Sequence, residues 1–162
     1  MVYVRIKKIK GKEYAYLVEN KWNKKLKRPK QKVKAYLGKF YKKDTKGEND
    51  FILHNNIDVE KYFKENSVNK VIKDLIEFEF LNHGFSDFSV DMDKKKIHKD
   101  GNKVVLGING GYLCDYSLKN LINFRFDAQE ELGYGLAKAF AEAGINVSKQ
   151  MFVEVFNKMV GG

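Results

Sequence analysis

Positive charge is concentrated at one end of this chain, and this uneven distribution divides the 162 residues into two parts. Residues 1–46 contain seventeen Lys or Arg and three acids, Glu13, Glu19 and Asp44, which gives a net charge of +14. The whole chain carries +10, so the remaining 116 residues sum to −4. A segment this basic repels itself when folded, so its simplest explanation is a surface for a polyanion. Nucleic acid is the first choice of polyanion, and an anionic membrane surface is the second.

Strand patterns occupy most of this basic segment. Polar and apolar residues alternate from Met1 to Ile9, as they do in a half-buried strand. Gly11 predicts a turn, Tyr14–Glu19 a second strand and Gln31–Phe40 a third. Residues 21–30 hold six Lys or Arg and predict a loop between the last two strands. We therefore expect a small three-stranded antiparallel sheet, whose aliphatic face needs a cover because a bare sheet of this size is only marginally stable.

The opposite face of this sheet, together with its basic loop, predicts a nucleic-acid surface. Cations neutralise phosphates, and aromatic rings stack on bases. Regular alternation places Val33, Ala35 and Leu37 on the aliphatic face and Lys34, Tyr36 and Phe40 on the other. The predicted phosphate contacts are Arg5, Lys7, Lys8, Lys10, Lys24, Lys25, Lys27, Arg28, Lys32 and Lys34. The predicted stacking groups are Tyr3, Tyr16, Trp22 and Tyr36. Cross-strand packing of the tyrosines and a solvated lysine face are the alternatives.

The second part of the chain has mainly helical signals. Residues 44–50 are polar and predict a linker between a basic β module at residues 1–43 and a domain at residues 51–162. Candidate helix N-caps precede apolar residues at helical spacing, and these are Asp58, Ser67, Ser117, Asp127 and Ser148. The strand-like runs Phe85–Met92 and Lys103–Ile108 flank a turn signal at residues 99–102. The chain as a whole is therefore predicted to be α+β, with a mainly helical α+β second domain.

The last two predicted helices, Asp127–Gly144 and Ser148–Val160, have the lengths and the short turn of a helix-turn-helix. A helix that reads DNA exposes several polar or basic residues near its N-terminus, whereas this one offers only Lys149 and Gln150 before Met151. The pattern therefore favours an ordinary helical hairpin. Its apolar face is expected either in the core or in a homodimer contact.

Membrane insertion is not expected from this sequence. No apolar run approaches the roughly 18 residues of a membrane span, and the N-terminus lacks the apolar block of a signal peptide. We therefore expect a cytoplasmic protein without membrane contact. Cys114 is the single cysteine and is interpreted as a small buried hydrophobe.

Acidic residues leave a metal-dependent nuclease as a weaker alternative. Carboxylates in or near strand ends could hold Mg²⁺, and these are Asp87, Asp91, Asp93, Asp115 and Asp127. Turns, caps and a solvated strand face account for the same residues. His54, His83 and His98 lack zinc-site spacing, and residues 107–111 lack the Lys-Ser or Lys-Thr of a phosphate-binding loop. No cofactor or metal site is therefore predicted.

A longer pattern runs through the first forty residues. Residues 3–19 and 33–39 contain the series Lys-x-x-x-Gly-x-x-Tyr-x-Tyr-Leu-Val-Glu and then Tyr-Leu-Gly. This series resembles the N-terminal segment of some insertion-sequence transposases. The resemblance implies a nucleic-acid-associated module, or one reused in another setting. It does not imply recombination, because 162 residues leave no room for a full nuclease domain and show no convincing set of three spaced catalytic acids.

These observations predict a non-enzymatic nucleic-acid-binding protein that uses a basic, aromatic-containing β-surface. Its contacts are expected to be largely independent of sequence, because phosphates carry no base information. The alternative is a protein-interaction or ribosome-associated module, in which the same surface docks an acidic partner or ribosomal RNA.

Overall fold

The computed structural model describes residues 1–43, 49–126, 131 and 133–161, which form seven strands and six helices. The strands are β1 (Val2–Ile9), β2 (Lys12–Asn23), β3 (Arg28–Lys42), β4 (Ser89–Asp91), β5 (Lys96–Lys99), β6 (Asn102–Ile108) and β7 (Gly111–Leu113). The helices are α1 (Phe51–Asn55), α2 (Val59–Glu65), α3 (Val68–His83), α4 (Asp115–Ile122), α5 (Tyr134–Glu142) and α6 (Lys149–Gly161). None of the helices in the described ranges is long and apolar enough to cross a membrane. The predicted α+β class is confirmed.

The hairpin between β1 and β2 has the predicted turn. Lys10 and Gly11 have φ angles of 50° and 78°, so both residues adopt the left-handed conformation of a two-residue turn. Strand pairing then runs from Ile9 opposite Lys12 to Val2 opposite Glu19. The strand expected at residues 1–9 is thereby confirmed.

The predicted loop at residues 21–30 was wrong, because these residues extend the hairpin between β2 and β3. Lys21 pairs with Lys30, Trp22 with Pro29 and Asn23 with Arg28, which leaves only residues 24–27 outside the ladder. Asn23 closes the turn, since its side-chain oxygen accepts hydrogen bonds from the backbone N–H groups of residues 25 and 26, each 3.0 Å long. The lysine-rich composition suggested a loop, whereas this asparagine supplies the turn chemistry.

The three-stranded antiparallel sheet predicted for the N-terminal part was also wrong in extent. The end of β3 pairs in parallel with β6, from Lys39 opposite Val104 to Lys42 opposite Gly107. One mixed, seven-stranded sheet results, in the order β1-β2-β3-β6-β5-β4, and β7 pairs with β6. Gly38 allows this junction: its φ is +135°, and a Cβ there would lie 2.5 Å from the carbonyl oxygen of Lys103.

Two irregularities in β3 change which residues share a face. Between Ala15 and Val18 the register shifts twice, so that Leu37 and Lys34 are extra residues on β3. Val33 therefore lies opposite Val18 and is 45% exposed, whereas it was expected on the aliphatic face. Phe40 shows the reverse error, because it packs against Leu37 and Ala15 in the apolar cluster beneath the sheet. Regular alternation failed here because each bulge reverses the face of the residues that follow it.

The cover that the aliphatic side of the first three strands needs is supplied by the second half of the chain. Cys114, Tyr112 and Tyr116 pack against Leu17 and Leu37 there. A second and larger core lies between the helices and the other side of β6, and it includes Ile72, Leu75, Leu106, Leu136, Met151 and Val155. The apolar face predicted for the last helix thus contributes to the core of the monomer.

Helix ends in the second half follow the sequence signals closely but not everywhere. Asp58 and Ser67 cap α2 and α3 as predicted, and Gly84 ends α3 in the left-handed conformation. Ser117 was wrongly predicted as an N-cap, because Cys114 holds that position. The Ser117 hydroxyl instead accepts a hydrogen bond from the backbone N–H of Cys114. The expected cap at Asp127 lies outside the described residues, as does most of the expected linker.

The strands of the second half surround the predicted turn. Asp100 and Gly101 have φ angles of 51° and 76° and join β5 to β6, which confirms the turn signal at residues 99–102. The predicted strand Lys103–Ile108 corresponds to β6. The run Phe85–Met92 is a strand only at residues 89–91, and it pairs with β5, which was not predicted.

Candidate nucleic-acid interface

Six side chains on β1, β2 and β3 form one face of the sheet, which we call the tyrosine face: Tyr3, Arg5, Lys7, Tyr14, Tyr16 and Tyr36. Cross-strand register brings them together, since Arg5 lies opposite Tyr16 and Tyr16 lies opposite Tyr36. The ring centroids of Tyr16 and Tyr36 are 5.4 Å apart, and the Lys7 ammonium lies 4.9 Å from the Tyr16 centroid. Gln31 links the edge of this face by accepting a hydrogen bond from Arg5 and donating one to Tyr3.

The tyrosines of this face pack against one another, which leaves limited ring area for stacking. Tyr36 is the most accessible of the group, with 42% of its surface exposed. Partial burial, followed by the neighbouring tyrosines, raises the pKa of the Tyr36 hydroxyl, which therefore remains a hydrogen-bond donor near neutral pH. The face can thus offer two cations, a hydroxyl donor and one partly exposed ring.

Residues 21–30 form a projecting two-stranded ribbon, which we call the arm. Strand β1 does not extend along the arm. Its pairing with β2 ends at Val2 opposite Glu19, and one more hydrogen bond follows, from the N–H of Asn20 to the carbonyl of Met1. All arm residues except Asn23 are exposed. The arm carries six cations and no acid: Lys21, Lys24, Lys25, Lys27, Arg28 and Lys30.

The register gives the arm two chemically different faces. Lys21 lies directly opposite Lys30, and Arg28 follows on the same face at alternate spacing. Trp22 lies opposite Pro29 on the other face, and the indole is 65% exposed. The proline is tolerated because β3 pairs only with β2 at this point and reaches β6 only from Lys39 onward. The arm therefore combines a face of three cations and Asn23 with an apolar aromatic face.

One acid, Glu19, neutralises part of the basic surface at the base of the arm. The Glu19 carboxylate lies 3.3 Å from the ammonium of Lys34 and 3.5 Å from that of Lys21. Although burial acts to raise it, the hydrogen bond and charge of Lys34, with those of Lys21, hold the pKa of Glu19 below its usual value. Lys34 is thus engaged within the chain.

The ten predicted phosphate contacts do not form one patch. Three of them, Lys24, Lys25 and Lys27, lie at the tip of the arm, Arg28 lies directly behind the tip, and Arg5 and Lys7 lie on the tyrosine face. Lys8 lies opposite Glu13 and Lys10 lies in the adjoining turn, so both lie at the other end of the β1–β2 hairpin. Glu13 precedes Lys21 by eight residues on β2, which at a rise of about 3.3 Å per residue is roughly 26 Å from the base of the arm. Lys32 and Lys34 lie near the base of the arm.

A second basic and aromatic group, which sequence analysis missed, lies where β3 meets β5 and β6. We call it the lysine cleft, a space of about 520 Å³ lined in part by Tyr36, Lys39, Tyr41, Lys99 and Lys103. The ammonium groups of Lys39 and Lys99 lie 5.1 and 5.3 Å from the Tyr41 centroid, and that of Lys103 lies 5.4 Å from the Tyr36 centroid. No local sequence signal could have found it, because the parallel pairing of β3 with β6 assembles it.

Two of the acids considered for a nuclease, Asp91 and Asp115, accept structural hydrogen bonds. Asp91 accepts a 2.9 Å hydrogen bond from the backbone of Lys94, and that bond is the main cause of its lowered pKa. Asp115 accepts a bond of the same length from the backbone of Ile97. Among the residues that the structure describes, no three His, Cys, Asp or Glu are grouped to hold a metal ion. Asp127 lies outside those residues. Cys114 is buried as expected, and burial raises the pKa of its thiol.

A buried carboxylate, also missed in the sequence, connects three elements of the second half. Glu79 on α3 accepts hydrogen bonds of 3.0 Å from the backbone N–H of Asn146 and from the side-chain amide of Asn109. His83 lies 3.2 Å from the same carboxylate, and Asn109 also donates to the carbonyl of Gly144. Burial raises the pKa of Glu79 despite these donors. The network joins α3 to the β6–β7 turn and to the segment before α6, which is a structural role.

Comparison with protein-family models, with curated proteins and with solved structures finds no match to this chain. The resemblance of the first forty residues to transposase N-terminal segments therefore stays a prediction. The homodimer contact expected for the C-terminal helices also stays a prediction.

Proposed function

We propose that this protein is a non-enzymatic nucleic-acid-binding protein, in which the arm makes largely sequence-independent contacts to phosphates. One observation carries the proposal: the arm is a hydrogen-bonded ribbon with six cations, no acid and nine exposed residues out of ten. The tyrosine face adjoins its base and adds Arg5 and Lys7. The lysine cleft continues the basic surface toward the second half of the chain.

The charge of the arm opposes its own folding. Lys21 and Lys30 face each other directly, and like charges in that arrangement destabilise a strand pair by a few tenths of a kcal/mol to about 1 kcal/mol. Glu19, the nearest acid along β2, is already engaged by Lys34 and Lys21. A polyanion relieves this repulsion, and it releases its own counterions when the cations bind.

Salt dependence tests this function. If all six arm cations contact phosphates, the logarithm of the affinity for duplex DNA should fall against the logarithm of salt concentration with a slope of about −5. The affinity should then fall about a thousandfold between about 50 and 200 mM salt. Fluorescence anisotropy of labelled duplex DNA, single-stranded DNA and RNA measures both quantities. A slope near about −2 for every nucleic acid, or no binding at about 50 mM salt, would contradict the proposal.

A matched pair of variants separates the arm from net charge. The arm variant changes its six cations to Ser, and we expect it to lose most of the salt slope. The control variant changes six cations outside the arm to Ser: Lys61, Lys64, Lys94, Lys119, Lys138 and Lys149. Both lower the net charge equally, so similar losses of affinity in the two would mean that the arm has no special role.

A further inference from the structure

The dimensions of the arm restrict which nucleic acid it can enter. Paired strands lie about 4.8 Å apart, and the three pairs from residues 21–23 and 28–30 extend roughly 10 Å before the four-residue tip. The major groove of B-form DNA is about 12 Å wide and about 8.5 Å deep, and it admits a two-stranded ribbon. The arm is therefore long enough to reach the floor of this groove.

Other grooves fit the arm less well. The minor groove of B-form DNA is only about 6 Å wide, which is too narrow for two strands with side chains unless the duplex is deformed. The major groove of duplex RNA is deep and narrow, and its minor groove is wide and shallow. A projecting ribbon gains little in a shallow groove, because only one of its faces makes contact.

The distribution of side chains along the arm suits insertion with the tip leading. Leu26 at the tip is 54% exposed between Lys25 and Lys27, and an apolar side chain at the groove floor can contact thymine methyl groups. Lys21, Arg28 and Lys30 lie behind the tip on one face of the ribbon, where a phosphate wall of the groove passes. The hydrogen bonds of Asn23 hold the tip in one conformation, which lowers the entropy lost on binding.

We propose that the arm enters the major groove of B-form duplex DNA with residues 24–27 foremost. This inference rests on the proposed function and adds the class of nucleic acid and the groove. Because the phosphate contacts dominate, the site tolerates many sequences, while contact with the groove floor distinguishes duplex DNA from duplex RNA.

The test uses the full chain with duplex DNA, duplex RNA and single-stranded DNA of one sequence, and it maps contacts by methylation of guanine N7, an atom of the major groove. We expect duplex DNA to bind about tenfold more tightly than duplex RNA, and N7 methylation to interfere with binding. Two variants accompany it. One replaces residues 21–30 with Asn-Gly between Asn20 and Gln31, and the other is Trp22→Ala with Leu26→Ala, which keeps every charge.

We expect the shortened chain to lose the N7 interference, provided that its circular dichroism and thermal unfolding match those of the parent. The charge-preserving variant should bind several-fold more weakly with an unchanged salt slope. Equal binding of both duplexes without N7 interference would overturn the groove assignment and leave nucleic-acid binding intact. Absence of binding to all three nucleic acids at low salt would overturn both proposals.

Discussion

At the scale of single residues, Glu79 shows how a buried charge is held in this fold. Glu79 is 2% exposed, and its carboxylate accepts hydrogen bonds from Asn146 and Asn109, with His83 beside it. Removal of one partner from such a network leaves buried polar groups without hydrogen bonds, which costs about 1–3 kcal/mol per group. The carboxylate therefore stabilises the junction of three elements, although ionising it in a buried site is unfavourable.

Glu79→Gln should change how stability depends on pH. Burial raises the folded-state pKa of Glu79 above its ordinary value of 4.5, so the folded protein holds this proton to higher pH than the unfolded chain. The contribution to the free energy of unfolding is thus fully present below pH 4.5 and is lost as pH rises through the folded-state pKa. Glutamine has no carboxyl group to ionise, so the variant keeps its free energy of unfolding as pH rises. Its stability relative to the parent should therefore increase with pH.

Urea denaturation of parent and variant at several pH values measures this difference, with the exposed Glu65→Gln as a control. Glu79→Leu, which removes the acceptors, should be destabilised throughout that range by a few kcal/mol, about 1–3 for each hydrogen-bond donor left unsatisfied. A stability difference between the parent and Glu79→Gln that stays constant with pH would show that the carboxylate does not titrate abnormally.

At the scale of elements, strand β3 connects the basic hairpins to the rest of the sheet. It pairs with β2 along most of its length and with β6 at its end. Two bulges at Lys34 and Leu37 adjust its faces, so the tyrosines lie on one side and Leu37 and Phe40 on the other. Gly38 follows the second bulge and touches the backbone of β6. Strand β3 thus determines where the arm and the tyrosine face meet the core.

Gly38→Ala should destabilise the protein strongly. The new Cβ would lie 2.5 Å from the Lys103 carbonyl oxygen and 2.8 Å from its carbon, at a φ that side chains rarely adopt. We expect a loss of about 3 kcal/mol, the sum of backbone strain and forced separation of the strands. The control is Gly101→Ala, which also has a positive φ but meets no atom within 4 Å and should lose only about 1–2 kcal/mol. Equal losses in urea denaturation would mean that β3 and β6 separate without cost.

At the scale of the whole molecule, the seven-stranded sheet makes the basic hairpins and the helical core parts of one structure. Val105 on β6 packs with Ala15 and Leu37 from the first part of the chain, and Cys114 and Tyr116 complete the cluster. The predicted division into domains at residues 1–43 and 51–162 stays a prediction, and the parallel pairing of β3 with β6 crosses it. Truncation is therefore the informative experiment at this scale.

A chain that begins at Asn49 should be destabilised. It would expose the edge of β6 from Val104 to Gly107 and the side of Val105 that Leu37 now covers, and an open apolar edge favours association. We expect a lower or less cooperative thermal transition by circular dichroism, with larger species in gel filtration. The chain with a shortened arm is the control, because it keeps the β3–β6 pairing. An unchanged, cooperative transition of the truncated chain would show that the second part folds alone.

Much of the local structure and the identity of the basic region follow from the sequence by itself. Asp58, Ser67 and Gly84 act on backbone groups within a few residues, so their effect on helix ends could be predicted from the local sequence alone. The charge of the first 46 residues is likewise a property of composition. The arrangement of that charge is different: tertiary structure turned the expected loop into an arm, separated Lys8 and Lys10 from it, and assembled the lysine cleft. These outcomes depend on strand pairing between residues that are distant in the sequence. The pairing is set by bulges, by close approach of two backbones and by packing in a shared core, and no short window of sequence contains that information.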